Sequence, residues 1–125
     1  MIAIGVGCRK GCPAAEIVAL VRRALSALPH PGRGERMVVA TAARKRYEPG
    51  IRAAARALSL PLVIVRDAAL AAVQARTHTR SARVAALVGV PSVAEAAALA
   101  AVGWHGRLAV TRMNTSVATC AIAFG

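Results

Sequence analysis

Aromatic and acidic side chains are scarce in this chain of 125 residues. It has one Tyr, one Trp and one Phe, and Asp and Glu together number only five. The 57% of residues that are hydrophobic must therefore be mainly Ala, Val, Leu and Ile, which suit Ala-rich helices packed closely on Val/Ile strands. So few carboxylates do not support a paired-carboxylate hydrolytic site. So few rings argue against a nucleic-acid binder that stacks bases on aromatic side chains.

Long apolar stretches and a secretory leader are also missing. No stretch of about twenty apolar residues is free of charge, so no membrane span is predicted. Residues 1–7 have neither a basic leader nor a long apolar run, and they are not expected to form a signal peptide. The three cysteines are an odd number, which without a secretory signal predicts free thiols in a reducing cytoplasm.

Positive charge is what the sequence has in excess. Its formal net charge is +12, and 15 of its 17 basic residues are Arg. One interpretation is a genomic bias toward Arg and Ala, with the charges simply solvated. The other is an anionic partner, because such a field attracts anions and the planar guanidinium binds two oxygens at once. Charge alone does not distinguish nucleic acid, phosphate and polycarboxylate.

Hydrophobic periodicity and turn residues divide the chain into alternating strands and helices. The predicted strands are residues 1–6, 36–41, 61–65, 107–111 and 116–124, and the predicted helices are 14–28, 48–58, 68–75, 82–88 and 92–103. The apolar third strand favours burial on both faces. A loop is predicted at 76–81 and a hairpin turn at 112–115. This order predicts a single three-layer α/β/α domain, residues 1–125, with a mixed, mostly parallel central sheet of about five strands.

A glycine-rich turn, Gly5-Val6-Gly7-Cys8-Arg9-Lys10-Gly11, joins the first strand to the first helix. Glycines let the backbone approach a ligand closely, and the start of the next helix offers free N–H groups to an anion. A dinucleotide site is disfavoured, because the G-x-G-x-x-G spacing has one residue too many and residues 24–34 contain no acid to hold a ribose. A tight structural turn and an anion site of another kind both stay open.

The cysteines suggest little chemistry of their own. Cys8 and Cys12 lie four residues apart, which does not fit a redox C-x-x-C motif. The helix start and its cationic neighbours favour a thiolate at Cys8, but no His or Asp partner for a nucleophile is identifiable. Cys120 alternates with apolar residues in the last predicted strand, so we expect it in the core.

Histidines and the tyrosine are candidate polar contacts. His30, His78 and His105 fall in predicted loops without metal-ligand spacing, so neither a metal nor another cofactor is predicted. His78 is either a base or polar contact in the 76–81 loop or a solvated residue. Tyr47 lies beside basic residues and is either a packing surface for a flat ligand or an ordinary boundary aromatic.

Three segments, in order and at compatible spacing, carry a resemblance to a known family. The first is the glycine turn, and the second is Lys45-Arg46-Tyr47-Glu48-Pro49-Gly50-Ile51. The third and most distinctive is Gly89-Val90-Pro91-Ser92-Val93-Ala94-Glu95-Ala96-Ala97-Ala98-Leu99, in which Ser92 and Glu95 form a capping box at a helix start. Over nearly its whole length the chain resembles the family of the CobE proteins and the C-terminal domain of CbiG.

The resemblance implies a role in assembling the corrin ring during cobalamin biosynthesis. Its implied partners are an anionic precorrin or cobyrinic-type tetrapyrrole and other enzymes of the pathway. CbiG-like enzymes open the δ-lactone of cobalt-precorrin-5A and release acetaldehyde, but this sequence lacks the N-terminal portion that they carry. Binding of an intermediate is therefore the first hypothesis. Lactone hydrolysis, alone or with a partner chain, and a nucleic-acid-binding module are the alternatives.

The physical chemistry of the chain fits that ligand class. A precorrin carries acetate and propionate carboxylates around a flat macrocycle, and these match an excess of positive charge. We expect Arg9, Lys10, Lys45 and Arg112 to contact carboxylates, with Arg112 standing where the family commonly has Lys. For Ser92 and Glu95, a helix cap and a ligand contact both stay open. The predicted ligand-binding residues are Gly5, Gly7, Cys8, Arg9, Lys10, Gly11, Lys45, Glu48, Ser92, Glu95 and Arg112.

Overall fold

A five-stranded sheet runs through the centre of the molecule. The computed structural model describes residues 1–28, 35–80 and 92–125, and of residues 76–80 it describes the backbone alone. The strands are β1 (Ile2–Cys8), β2 (Met37–Ala42), β3 (Leu62–Val65), β4 (Arg107–Asn114) and β5 (Ala118–Phe124). The helices are α1 (Ala14–Ser26), α2 (Pro49–Ala57), α3 (Asp67–Arg80) and α4 (Val93–Val102), and a 3-10 turn lies at Ala43–Lys45.

The strand order β3-β2-β1-β5-β4 confirms the predicted mixed sheet. β1 pairs in parallel with β2, and β2 with β3, whereas β5 runs antiparallel to both β1 and β4. All strands except β5 therefore point the same way, which agrees with a mostly parallel sheet. The carboxyl ends of these four strands and the start of β5 meet at one edge of the sheet.

Helices cover both faces of the sheet, so the predicted three layers are confirmed. Alternate residues of β1 point to opposite faces, as they must in a strand. Ile2, Ile4 and Val6 are buried together with the apolar side chains of α1 and α2. On the other face, Ala3 is buried against the alanine-rich side of α4, beside which α3 packs.

The alanine-rich motif forms α4 as predicted. Ser92 is the N-cap, and the capping box with Glu95 is present in both directions. Gly103 ends the helix with a φ of 102°, a conformation that suits glycine. The helix after Glu48 and the helix from Ala14 are also confirmed, and their buried residues recur every three or four positions, as one face of a helix requires.

Three local predictions need correction. The segment predicted as a loop at 76–81 continues α3 as far as Arg80, because it contains no Gly or Pro and polar residues alone do not end a helix. β4 extends to Asn114, so the hairpin turn lies at 115–117 rather than 112–115. β3 is an edge strand; Leu62 and Val63 pack toward opposite faces but are only half-buried.

Several predictions fall outside the described residues. They are the helix at 82–88, His30, the side chain of His78, and the start of the third family segment at 89–91. Among the helices that are described, none has the length and the apolar character needed to cross a membrane.

Candidate ligand-binding cavity

An open cavity of about 450 Å³ lies at the edge of the sheet where the carboxyl ends of β1 and β2 meet the β4–β5 hairpin. It is lined by residues 6–9, 41, 42, 44, 45, 92, 93, 112 and 114–119. Its walls thus come from the glycine turn, the end of β2 with the following 3-10 turn, the start of α4, and the hairpin. In open α/β sheets, a crevice outside the carboxyl ends of the strands is where ligands bind.

Side-chain hydroxyls fix the floor of the cavity. Thr41, at the end of β2, is fully buried and donates from Oγ1 to the carbonyl oxygen of Val6 at 2.8 Å. Thr119 Oγ1 donates to the carbonyl oxygen of Gly7 at 3.4 Å. Because β1 lies between β2 and β5, these two bonds hold its last residues from both sides.

The hairpin turn is tied to the glycine turn. The Arg9 N–H donates to the Val117 carbonyl oxygen at 2.8 Å, which continues the pairing of β1 with β5 beyond the end of β1. Thr115 Oγ1 accepts from the N–H groups of Val117 and Ala118 at 3.2 and 3.1 Å, closing the turn on itself. The two turns that flank the cavity therefore form one hydrogen-bonded rim.

Four cationic side chains of the described residues line the cavity. Arg9 comes from the glycine turn, Arg44 and Lys45 from the 3-10 turn, and Arg112 from β4. None of the described lining residues is Asp, Glu or His. The cavity is therefore strongly positive, and its hydroxyl and backbone groups add donors suited to carboxylate or phosphate oxygens.

Cys8 lines the cavity as a thiol. Burial is the main reason why the pKa of Cys8 rises to about 11, and the nearby Cys12 and Glu48 raise it further against the opposing effect of Lys45. Burial likewise raises the pKa of Cys12. The cationic neighbours that favour a thiolate at Cys8 are therefore outweighed by desolvation. Cys120 is in the core as predicted, and burial raises its pKa to about 12.

The family model for the C-terminal part of cobalamin synthesis protein G matches residues 2–123, nearly the whole chain. The chain belongs to this family. As a member, it is a cobalamin biosynthesis protein of the CobE and CbiG C-terminal type, which confirms the resemblance seen in the three sequence segments.

Individual relatives agree with this assignment. Protein CobE from a Sinorhizobium species is 35% identical over 122 residues, covering 98% of this chain and 79% of the relative. The crystal structure of cobalamin biosynthesis protein chiG from Agrobacterium tumefaciens superposes with a TM-score of 0.82 at 42% identity, covering 99% of this chain and 98% of that one. A crystal structure of CobE gives a TM-score of 0.71 at 30% identity, covering 98% and 89% of the two chains.

The structure brings six of the predicted site residues together and leaves five outside the lining. Those around the cavity are Gly7, Cys8, Arg9, Lys45, Ser92 and Arg112. The other five are Gly5, Lys10, Gly11, Glu48 and Glu95. The three family segments thus meet at one place, although only part of each segment faces the cavity.

Three of the five outside residues have structural contacts that explain their identity. A Cβ at Gly5 would overlap the carbonyl oxygen of Ala94, so glycine there lets α4 lie directly on β1. Gly11 has a φ of 79°, and its N–H donates to Oε1 of Glu48 at 2.9 Å. Glu48 is only 8% exposed and joins the glycine turn to the start of α2.

Of the remaining two residues outside the lining, Lys10 is solvent-exposed and Glu95 joins two elements of the structure. Lys10 is exposed in the turn and lies beyond the cavity wall. Glu95 accepts the N–H of Ser92 at 2.9 Å through Oε1 and the N–H of Arg112 at 3.2 Å through Oε2. Its carboxylate therefore connects the start of α4 to β4 through two residues that line the cavity.

Sequence reasoning missed Thr41, Arg44, and the polar residues of the hairpin, among them Ser116 in its turn and Thr119 at the start of β5. A signal was present, since Thr41 is the polar residue that ends a predicted apolar strand. The hairpin residues were missed because the predicted turn begins three residues too early, which assigns them to the last predicted strand. Tyr47 is 76% exposed and stacks with Arg46, whose guanidinium carbon lies 4.8 Å from the ring centre, so Tyr47 lies outside the described wall.

Proposed function

We propose that this cavity binds the carboxylate arms of an anionic precorrin-type tetrapyrrole during cobalamin biosynthesis. The observation that carries the proposal is the convergence of Arg9, Arg44, Lys45 and Arg112 on one cavity whose described lining contains no acidic side chain. Family membership supplies the pathway. The charge and shape of the cavity supply the ligand chemistry.

Charge supports a ligand with several carboxylates. The cations come from three parts of the cavity lining: the glycine turn, the 3-10 turn and β4. The positive charges are therefore distributed around the cavity. A ring with acid arms around its periphery can satisfy several of them at once. Hydrogen bonds between ionised partners are stronger and shorter than neutral ones, and the net charge of +12 accelerates encounter with a polyanion.

The apolar part of the lining supports a flat ring. Val6, Val93 and Val117 are lining residues as well, next to the cations and hydroxyls. Ligand sites commonly combine such an apolar surface with a few fixed polar groups. The residues that the structure describes leave the cavity open, so we expect it to take one edge of the macrocycle and the arms attached to it.

Binding is better supported than lactone hydrolysis. Opening a lactone needs a base that activates water. The described lining offers no carboxylate or imidazole for that task, and the raised pKa of Cys8 keeps it a thiol at neutral pH. We therefore propose a binding or delivery protein, located in the cytoplasm, that exchanges its ligand with other enzymes of the pathway.

A titration followed by visible absorbance tests the proposal. Uroporphyrin, a flat tetrapyrrole ringed by acetate and propionate arms, is a stable probe. We expect saturable binding that weakens as salt rises. Each of Arg9→Ala, Lys45→Ala and Arg112→Ala should raise Kd by about tenfold, as expected for losing one charged hydrogen bond.

Matched controls separate a site from general attraction. Arg56→Ala and Arg107→Ala remove the same charge from exposed positions outside the cavity and should leave Kd nearly unchanged. A porphyrin bearing N-methylpyridinium groups has the same flat ring with the opposite charge and should not bind. Equal losses in all five variants would refute the cavity as the site. If the protein releases acetaldehyde from the cobalt-precorrin-5A lactone, the proposed binding function is refuted in favour of lactone hydrolysis.

A further inference from the structure

Glu95 lies outside the cavity lining but contacts two residues that shape it. Its Oε1 accepts from the Ser92 N–H at 2.9 Å, and its Oε2 accepts from the Arg112 N–H at 3.2 Å. Ser92 Oγ in turn accepts from the Glu95 N–H at 3.1 Å. One carboxylate therefore joins the start of α4 to β4.

A helix cap explains only half of this arrangement. A capping box uses one side-chain oxygen to accept the N–H of the N-cap residue, and Gln serves at this position as Glu does. The second oxygen of Glu95 bonds to a different element, 17 residues further along the chain. That bond goes beyond what the helix needs.

β4 is irregular at the place where Glu95 reaches it. Its pairing with β5 shifts between Val110 and Met113, so that Thr111 and Arg112 together face the single residue Ala121. A bulge of this kind takes a residue out of the regular ladder and re-aims its side chain. Here the Arg112 N–H is held by Glu95, and the Arg112 side chain lines the cavity.

We propose that Glu95 is a positioning residue for anion binding, which locks the β4 bulge against α4 so that Arg112 faces the cavity. The inference rests on the proposed function of that cavity. Both carboxylate oxygens of Glu95 accept backbone N–H groups, so a hydrogen bond fixes the position of each oxygen. Ser92 Oγ accepts the Glu95 N–H through a lone pair and keeps its own proton for the ligand.

Glu95→Gln separates the positioning role from the cap. The oxygen of Gln can still accept the Ser92 N–H and keep the capping box. Its NH2 group then faces the Arg112 N–H, donor against donor, and the link to β4 is lost. We expect the uroporphyrin Kd to rise by about fivefold, a moderate coupling for residues in one network. The Tm should change little, and in the proton NMR spectrum the Arg112 amide should move to higher field while the Ser92 amide stays.

A double variant shows whether Glu95 acts through Arg112. Glu95→Gln should cost nothing further in an Arg112→Ala background, because the side chain it positions is already gone. Arg107→Ala, on the same strand at its other end, is the control and should leave both Kd and the Arg112 amide unchanged.

The outcomes keep the two proposals apart. If the unaltered protein does not bind uroporphyrin, the proposed function fails before any variant is compared. If it binds and Glu95→Gln leaves Kd unchanged, the positioning role is overturned while the binding function stands. The positioning role is overturned in the same way if Glu95→Gln weakens binding as much with Ala at position 112 as with Arg.

Discussion

The two faces of the central sheet are packed with side chains of different size. On the face covered by α1 and α2, the core consists of large aliphatic residues such as Ile4, Ile17 and Ile122. On the face covered by α3 and α4, the sheet and α4 meet through alanines and glycine, among them Ala98. We call these the aliphatic face and the alanine face.

This difference has a functional consequence. Small residues let the backbone of α4 approach β1 closely, so that the N-terminus of α4 is fixed relative to the carboxyl end of β1 at the cavity. The aliphatic face contributes mainly burial, which is the largest favourable contribution to folding. We therefore expect changes on the aliphatic face to affect stability alone, and changes on the alanine face to affect stability and ligand binding together.

The largest expected effect is on the aliphatic face. Ile4 is fully buried, and Ile4→Ala removes three carbon atoms and leaves a cavity, so we expect a loss of about 4 kcal/mol in the free energy of unfolding. The measurement is equilibrium unfolding in urea. Under conditions where the variant is folded, the Kd for uroporphyrin should stay within about twofold. A large rise in Kd for the folded variant would show that the two faces do not divide their roles in this way.

Gly5→Ala, at the neighbouring residue of the same strand, tests the alanine face. The added Cβ overlaps the Ala94 carbonyl oxygen, so α4 must move away from β1. We expect a loss of about 2 kcal/mol, in the range of overpacked cores. We also expect Kd to rise by about tenfold, because Ser92 and Val93 leave their positions at the cavity. Gly106→Ala, which crowds Val102 at the other end of α4, is a matched control that should lower stability without the same loss of affinity. A Gly5→Ala variant with normal affinity contradicts the comparison.

Much of this arrangement follows from the sequence. The β-branched run of β1, the proline at the start of α2 and the Ser92–Glu95 capping box each specify an element locally, and each is present where predicted. The placement of β5 between β1 and β4 is not specified locally, because it depends on which strands pair across the whole chain. The cavity is equally hard to predict from local sequence, since its walls come from four separate parts of the chain.

The bulges of β4 are a second feature that local sequence does not predict, here at the level of single residues. Relative to β5, β4 contains extra residues between Leu108 and Val110 and between Val110 and Met113. A regular strand is recognised by its alternation of polar and apolar residues. The bulges of β4 interrupt that alternation, so the end of β4 is predicted to be a turn. The shift is small, but it places Ser116 and Thr119, which line the cavity, inside the last predicted strand.

Glu48→Gln is expected to have a smaller effect than either core change. Glu48 is buried beside the aliphatic face and accepts the N–H of Gly11, so it holds the glycine turn without lining the cavity. The neutral amide weakens this bond, and we expect a loss of about 1 kcal/mol with little change in Kd. Thermal unfolding measures the loss of stability, and the uroporphyrin titration measures Kd. A strong loss of affinity at unchanged stability would place Glu48 in the binding site itself.

The smallest expected effect at neutral pH concerns Cys8, where the aliphatic face reaches the cavity. Ile2, Ile4 and Val6 precede it on the same side of β1, and its sulfur is partly buried against that core. Burial raises the pKa of Cys8 from 9.0 to about 11, so at pH 8 its thiolate fraction is about a hundredfold below that of an ordinary thiol. We expect alkylation of Cys8 by iodoacetamide, followed by mass spectrometry of its peptide, to be slow and to accelerate up to pH 11.

The chain unfolded in guanidinium is the control for this measurement, because there the same thiol should titrate near its ordinary pKa of 9.0. The raised pKa has a second consequence with a definite sign. Above pH 9 the unfolded state releases the Cys8 proton before the folded state does, so stability declines as pH rises toward 11. Cys8→Ala should remove the Cys8 part of that decline, while Cys12 and Cys120, whose pKa values burial also raises, keep contributing to it. A rate of alkylation that levels off below pH 9 in the folded protein would mean that the cations of the cavity, and not the aliphatic face, govern this thiol.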